Sequence, residues 1–155
     1  MKRRDAREVA LCLLFDYSFN DSVDTDEIMN LYLKCFPEKG VGASVDEIKN
    51  DEYISTVFYG ASQKCAELDE YIQKSSDNWK PERISRISRA ILRLAIFEML
   101  YMDDIDIKVS ANEAVELAKK YDHDKGFTFV NGILGNVVKM LENTEVSDAV
   151  ENDAE

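Results

Sequence analysis

The strongest constraint on the fold is the stretch Ile84–Tyr101, which reads ISRISRAILRLAIFEMLY. From Ala90 to Met102 only Arg93 and Glu98 are polar, and a helix apolar on nearly every side must be surrounded by other helices. The stretch therefore predicts a central core helix. Pro81 is expected at its first helical position, where proline's missing N–H breaks no helical bond. A membrane span needs about 20 apolar residues, and Arg93 and Glu98 cut this run well below that. Ahead of Ala90 the pattern changes: Arg86, Arg89 and Arg93 recur at helical spacing and predict a basic stripe on an otherwise buried element. Trp79, just before the stretch, reads as a lid on the core.

The rest of the chain supplies helices to surround it. Asp5 followed by Glu8 resembles a capping arrangement, so a first helix is expected after Asp5, with Ala6, Val9, Ala10, Leu13, Leu14 and Tyr17 inward and Phe15 partly exposed. Asp24 or Thr25 can cap a second helix with Ile28, Leu31, Tyr32 and Cys35 on its apolar face, closed by Pro37. Ile54, Phe58, Ala61, Cys65, Leu68 and Ile72 alternate steps of four and three, the seam of one long helix in a bundle. Ser110 with Glu113 matches a capping box ahead of a narrow face of Ala111, Ala114, Val115, Ala118 and Tyr121. A last helix carries Val130, Ile133, Leu134, Val137, Val138 and Leu141. Gly132 and Gly135 each cost about 1 kcal/mol there, which predicts tight packing at both. With only 2 prolines and 6 glycines, the chain reads as one all-α domain over residues 1–143. Residues 144–155 are acidic, poor in apolar side chains and read as a disordered tail.

Composition excludes most chemistry. The 3 cysteines, Cys12, Cys35 and Cys65, form no CxxC pair and suit a reducing cytoplasm. The single histidine, His123, has no cysteine, serine or second histidine at motif spacing and reads as a surface residue. Gly40 and Gly42 lack the rest of a phosphate-binding motif, and Asp103, Asp104 and Asp106 read as a solvated acidic loop rather than a cation site. No signal peptide is expected, because Asp16 interrupts the first apolar run and no small-residue cleavage site follows. No enzyme, cofactor or metal centre is indicated.

Charge points to binding instead. The net charge is −12, with six acidic and no basic residues in Glu142–Glu155, while basic residues gather in MKRRDARE at the N-terminus. Cations at the positive end of a helix dipole are unfavourable by roughly 0.3–1 kcal/mol each, so local stability does not account for Lys2, Arg3 and Arg4. A basic arm, a basic stripe, and exposed aromatics among Phe15, Tyr17 and Phe129 suit single-stranded RNA. A helical adaptor that binds only protein, its arginines paired with some of the 31 acidic side chains, fits the residues equally well.

Four segments together resemble the bacterial transcription antitermination factor family NusB: RRDARE before an apolar helix, SRAILRLAIFEMLY, KVSANEAVELAKKY and FTFVNGILGNVV. They occur in the family's order and cover the folded chain. The resemblance implies two small helical bundles packed together and no enzymatic activity. It further implies binding of boxA-type nascent RNA jointly with a small-subunit ribosomal protein, NusE, in an RNA polymerase antitermination complex that supports ribosomal RNA transcription. By matching position, Arg3, Arg4, Arg7, Phe15, Tyr17, Thr128 and Phe129 are the RNA-facing candidates, and Ser88, Arg89 and Lys125 the protein-partner candidates. Many relatives have tyrosine at Phe15 and lysine at Thr128, and acidic residues at Ser88 and Lys125, so this chain lacks some of the expected contact groups.

Overall fold

The computed structural model describes residues 1–35, 43–76, 84–122 and 126–153, with side chains described up to Thr144. Its helices are α1 (Arg3–Phe19), α2 (Thr25–Cys35), α3 (Val45–Lys49), α4 (Glu52–Gln63), α5 (Cys65–Lys74), α6 (Arg86–Tyr101), α7 (Ile107–Tyr121) and α8 (Gly126–Asp153). No strand occurs among the described residues. The long apolar stretch is α6, and it is central as expected: it packs on α1, α4, α5, α7 and α8. Two triads share it, α1–α4–α6 and α6–α7–α8, which gives the two-bundle architecture. Ile91, Leu92, Leu94, Ala95 and Ile96 are buried around its whole circumference, as a helix with neighbours on every side requires.

Several local expectations give way. α6 begins not at Pro81 but at Arg86, where Ser85 Oγ accepts the Ser88 N–H at 3.1 Å and satisfies an otherwise orphan donor. Pro81 and Trp79 lie outside the described residues, as do Pro37, Gly40, Gly42 and His123. α1 starts at Arg3, before Asp5, with Lys2 as a cap residue making no side-chain cap bond, so the basic arm is largely helical. Asp24 caps α2 by accepting the Asp26 N–H at 3.1 Å, but Leu31 and Cys35 face solvent and Met29 is buried in their place. The expected single helix over Ile54–Ile72 is two. Lys64 leaves helical geometry, and its N–H turns to Ala61 O at 3.1 Å. The Cys65 thiol stands at the break, 3.5 Å from Ala61 O and 3.6 Å from Ser62 O, where it donates a weak bond back to the end of α4.

α7 begins four residues before Ala111, capped by Asp106 Oδ1 on the Lys108 N–H at 2.8 Å. Ser110 is therefore inside the helix and buried, not a cap. Gly132 and Gly135 sit on the open face of α8, where an added Cβ meets nothing within 4 Å, so tight packing does not explain them. The close approach is elsewhere: at Gly60 a Cβ would run into the Phe97 ring, letting α4 approach α6. α8 continues past Asn143 to Asp153, because no glycine or proline follows Gly135 to end it.

Glu98 lies fully buried where the two triads meet. Arg7 of α1 donates to it from Nε at 3.0 Å and Nη2 at 2.9 Å, Tyr53 of α4 from its hydroxyl at 2.8 Å, and Ser110 of α7 at 3.2 Å. A buried carboxylate is tolerated only when paired and hydrogen-bonded, and here four helices converge to do it.

Candidate nucleic-acid interface

The arm divides into exposed and buried arginines. Arg3 is exposed, with its guanidinium carbon 4.6 Å from the centre of the Tyr53 ring. The Arg4 side chain is 74% exposed and reaches Glu113 of α7 at 3.2 Å. Arg7, expected at the RNA, is instead 5% exposed and committed to Glu98. Burial pulls its guanidinium toward lower pKa, but the hydrogen bond and charge of Glu98 outweigh that and raise it. Its Nε and Nη2 are used inside the protein, and at 5% exposure it positions α1 rather than presenting itself to a phosphate.

α1 and α7 both pack on α6, and a groove of about 410 Å³ lies between them, lined by Arg4, Glu8, Glu113 and Lys120 among others. Its cations are matched internally: Lys120 Nζ is 2.6 Å from Glu8, and Lys119 Nζ is 3.4 Å from Glu116. Tyr121 also donates to Glu8, at 3.0 Å. Residues 4, 8, 12, 15 and 19 fall on one face of a helix, so the face that brings Arg4 and Glu8 to the groove continues beyond it through Cys12 to Phe15 and Phe19. Phe15 is half-buried, its ring perpendicular to that of Phe19 at 5.0 Å.

Tyr17 does not join that face. Two residues on from Phe15 it points about 200° away, toward Cys65 and Arg93; burial, then the Cys65 and Asp21 neighbours, raises its hydroxyl pKa. At the start of α8, Thr128 is exposed and Phe129 half-buried against the core, while Phe127, at 40%, is the more exposed ring. Of the protein-partner candidates, Ser88 is 2% exposed and donates to Asp122 Oδ2, so it is a structural contact between α6 and the end of α7. Ser85 donates to the same oxygen at 3.2 Å, and a Cβ at Gly126 would collide with the Asp122 side chain. Arg89 is half-buried with its own interactions, and Lys125 lies outside the described residues. The basic stripe is also dispersed: Arg93 is held bidentate by Asp69 at 2.8 and 2.7 Å, whereas Arg86 is exposed.

No group of three or more metal-ligating side chains occurs among the described residues, and no helix there is long and apolar enough to cross a membrane. The sequence reading missed Phe19, Glu98 and Asp122. The helical spacing from Arg4 to Phe19 was available to find the first; the other two depend on partners distant in the chain.

The comparisons with known proteins agree with this architecture. A family model described as the NusB family matches residues 4–139. Transcription antitermination protein NusB of Natranaerobius thermophilus is 43% identical, with 91% of this chain and 97% of the relative covered. That of Bacillus subtilis is 41% identical, covering 92% and 98%. Among solved structures, T. maritima NusB superposes with a TM-score of 0.69 at 31% identity, covering 90% of this chain and 92% of the other. NusB from Aquifex aeolicus shares the fold, with a TM-score of 0.71 at 24% identity over 93% of each chain. With a match that spans nearly all of both triads, this chain belongs to the NusB family, whose members are transcription antitermination factors and not enzymes.

Proposed function

We propose that this chain acts in the cytoplasm as a transcription antitermination factor by binding boxA-type single-stranded nascent RNA together with the ribosomal protein NusE. Within an RNA polymerase antitermination complex it would thereby support processive ribosomal RNA transcription. The observation that carries the reading is the α1 edge: the exposed cations Arg3 and Arg4 lie at one end and the Phe15 ring lies further along. Phosphate contacts fix register while bases stack on rings. The exposed Arg4–Glu113 pair is worth at most about 1 kcal/mol, so a phosphate can replace the carboxylate. Thr128 and Phe129 at the start of α8 are the further RNA-facing candidates by family position. A chain of this fold, with a TM-score of 0.74 at 24% identity, was solved in a crystal structure of a plectonemic RNA supercoil, which agrees with the reading.

A protein-only adaptor is the second reading, favoured by the pairing of Arg4, Arg93 and Lys120 with Glu113, Asp69 and Glu8. Titrations of boxA-type and scrambled RNA, with and without the ribosomal protein, separate the two. The RNA reading expects the partner to tighten boxA-type binding selectively. It also expects Arg3→Ala with Arg4→Ala to flatten the salt dependence by about 0.7 for each phosphate no longer neutralised. Binding of the ribosomal protein with no binding of either RNA would favour the adaptor.

A further inference from the structure

We propose that Phe19 and Arg86 form a second platform for single-stranded RNA on the same edge, Phe19 stacking a nucleobase and Arg86 holding the adjoining phosphate. The inference rests on the RNA-binding reading above and adds residues to it. Phe19 is the last residue of α1 and is 54% exposed. The Arg86 guanidinium carbon lies 4.4 Å from the centre of its ring, and Phe15 stands perpendicular to it at 5.0 Å. The ring is thus exposed and yet held from two sides, so ordering it on binding has a small entropic cost.

The partner of Arg86 decides what the platform suits. Its Nη1 donates to Ser18 O at 2.9 Å, a neutral carbonyl that fixes the guanidinium without supplying a counter-charge. Among the described residues no carboxylate lies within ion-pair distance of Arg86, whereas Arg4, Arg7 and Arg93 each hold one. In a chain of net charge −12, a fixed, exposed and unneutralised guanidinium beside an exposed ring matches a ligand carrying both an anion and a flat π-face. A nucleotide is that ligand, and the position is continuous with the arm. From Arg4 to Phe19 α1 rises about 22 Å, the length of roughly six nucleotides at a stacked spacing of 3.4 Å.

The test uses the full chain with its ribosomal protein and boxA-type RNA carrying 2-aminopurine at successive positions, across a salt series. Phe19→Ala should weaken RNA binding roughly 5- to 150-fold, leave the salt slope intact and abolish quenching at one 2-aminopurine position; Phe19→Trp should retain both. Arg86→Ala should weaken binding and lower the slope by about 0.7, while Arg86→Lys keeps the slope. Circular dichroism confirms folding of each variant. Parental RNA affinity in Phe19→Ala and Arg86→Ala overturns the platform and leaves the wider RNA reading standing; if only melting falls, Arg86 is merely a cap on α1. Loss of ribosomal-protein binding without loss of RNA affinity also overturns it, making this a protein contact. A parent chain that binds no RNA, with or without the partner, overturns both readings together.

Discussion

Replacing Arg7 with alanine separates a buried clamp from a phosphate contact. In the structure Arg7 is 5% exposed and gives Glu98 two short bonds, at 2.9 and 3.0 Å. Removing it leaves a fully buried carboxylate supported only by the hydroxyls of Tyr53 and Ser110. Breaking a buried pair by deleting one partner costs about 3–5 kcal/mol. For a domain of this size each kcal/mol moves the melting temperature by about 2–4 °C, so Arg7→Ala should melt roughly 6–20 °C below the parent. Thermal melts by circular dichroism measure this. A cycle with Glu98→Ala adds a check: because both substitutions remove the same pair, the double variant should lose less than the two singles combined. RNA binding of the folded variant at low temperature should keep the parental salt slope. A melting temperature within about 2 °C of the parent, coupled with a slope lowered by about 0.7, would refute the clamp and return Arg7 to the RNA surface.

Three further outcomes follow from packing and ionisation. Gly60→Ala should destabilise by about 1–3 kcal/mol through overlap with the Phe97 ring, whereas Gly132→Ala on the open face of α8 should stabilise by up to about 1 kcal/mol; urea unfolding midpoints give both signs. Burial, then Asp16 and Glu8, pushes the Cys12 thiol up to about 11, and burial raises Cys65, while Cys35 is exposed. Since the thiolate is the reactive form, a disulfide reagent at neutral pH should label Cys35 first, and Cys35→Ser should remove the fast phase. Burial, then the charge and hydrogen bond of Glu98, raises the Tyr53 hydroxyl above its ordinary value of 10.0. The folded state therefore keeps a proton that the unfolded chain releases, and its contribution, full below about pH 10, is lost as pH rises further. Urea midpoints should fall on the alkaline side, and less steeply in Tyr53→Phe.

What the sequence made legible was whatever a local pattern determines. An apolar run with two polar residues specifies a surrounded helix wherever its neighbours come from, and α6 is that helix. The break at Lys64 was not legible, because a one-residue interruption leaves Ala61, Leu68 and Ile72 buried and the four-three alternation reads through it. Ser110 was misread for a related reason: Ser-x-x-Glu looks alike at a helix start and one turn inside, and only Glu98 below it distinguishes them.

The arginines show the limit most clearly. Arg3, Arg4 and Arg7 are chemically alike and close in sequence, yet the fold gives one a ring, one a surface carboxylate and one a buried carboxylate 91 residues away. Matching by position treats all three alike because it has no term for a partner so distant. Helical phase would have helped with Tyr17, since positions 4, 8, 15 and 19 share a face that excludes it, whereas Arg7, one turn from Arg4, is set apart only by its burial against Glu98. That face carries Arg4, Phe15 and Phe19 in turn, and Arg86 stands at its end because α6 begins beside the last turn of α1. The central helix thus has two roles: its apolar body forms the core, and its capped N-terminus at Ser85 sets a cation over the Phe19 ring at the end of α1.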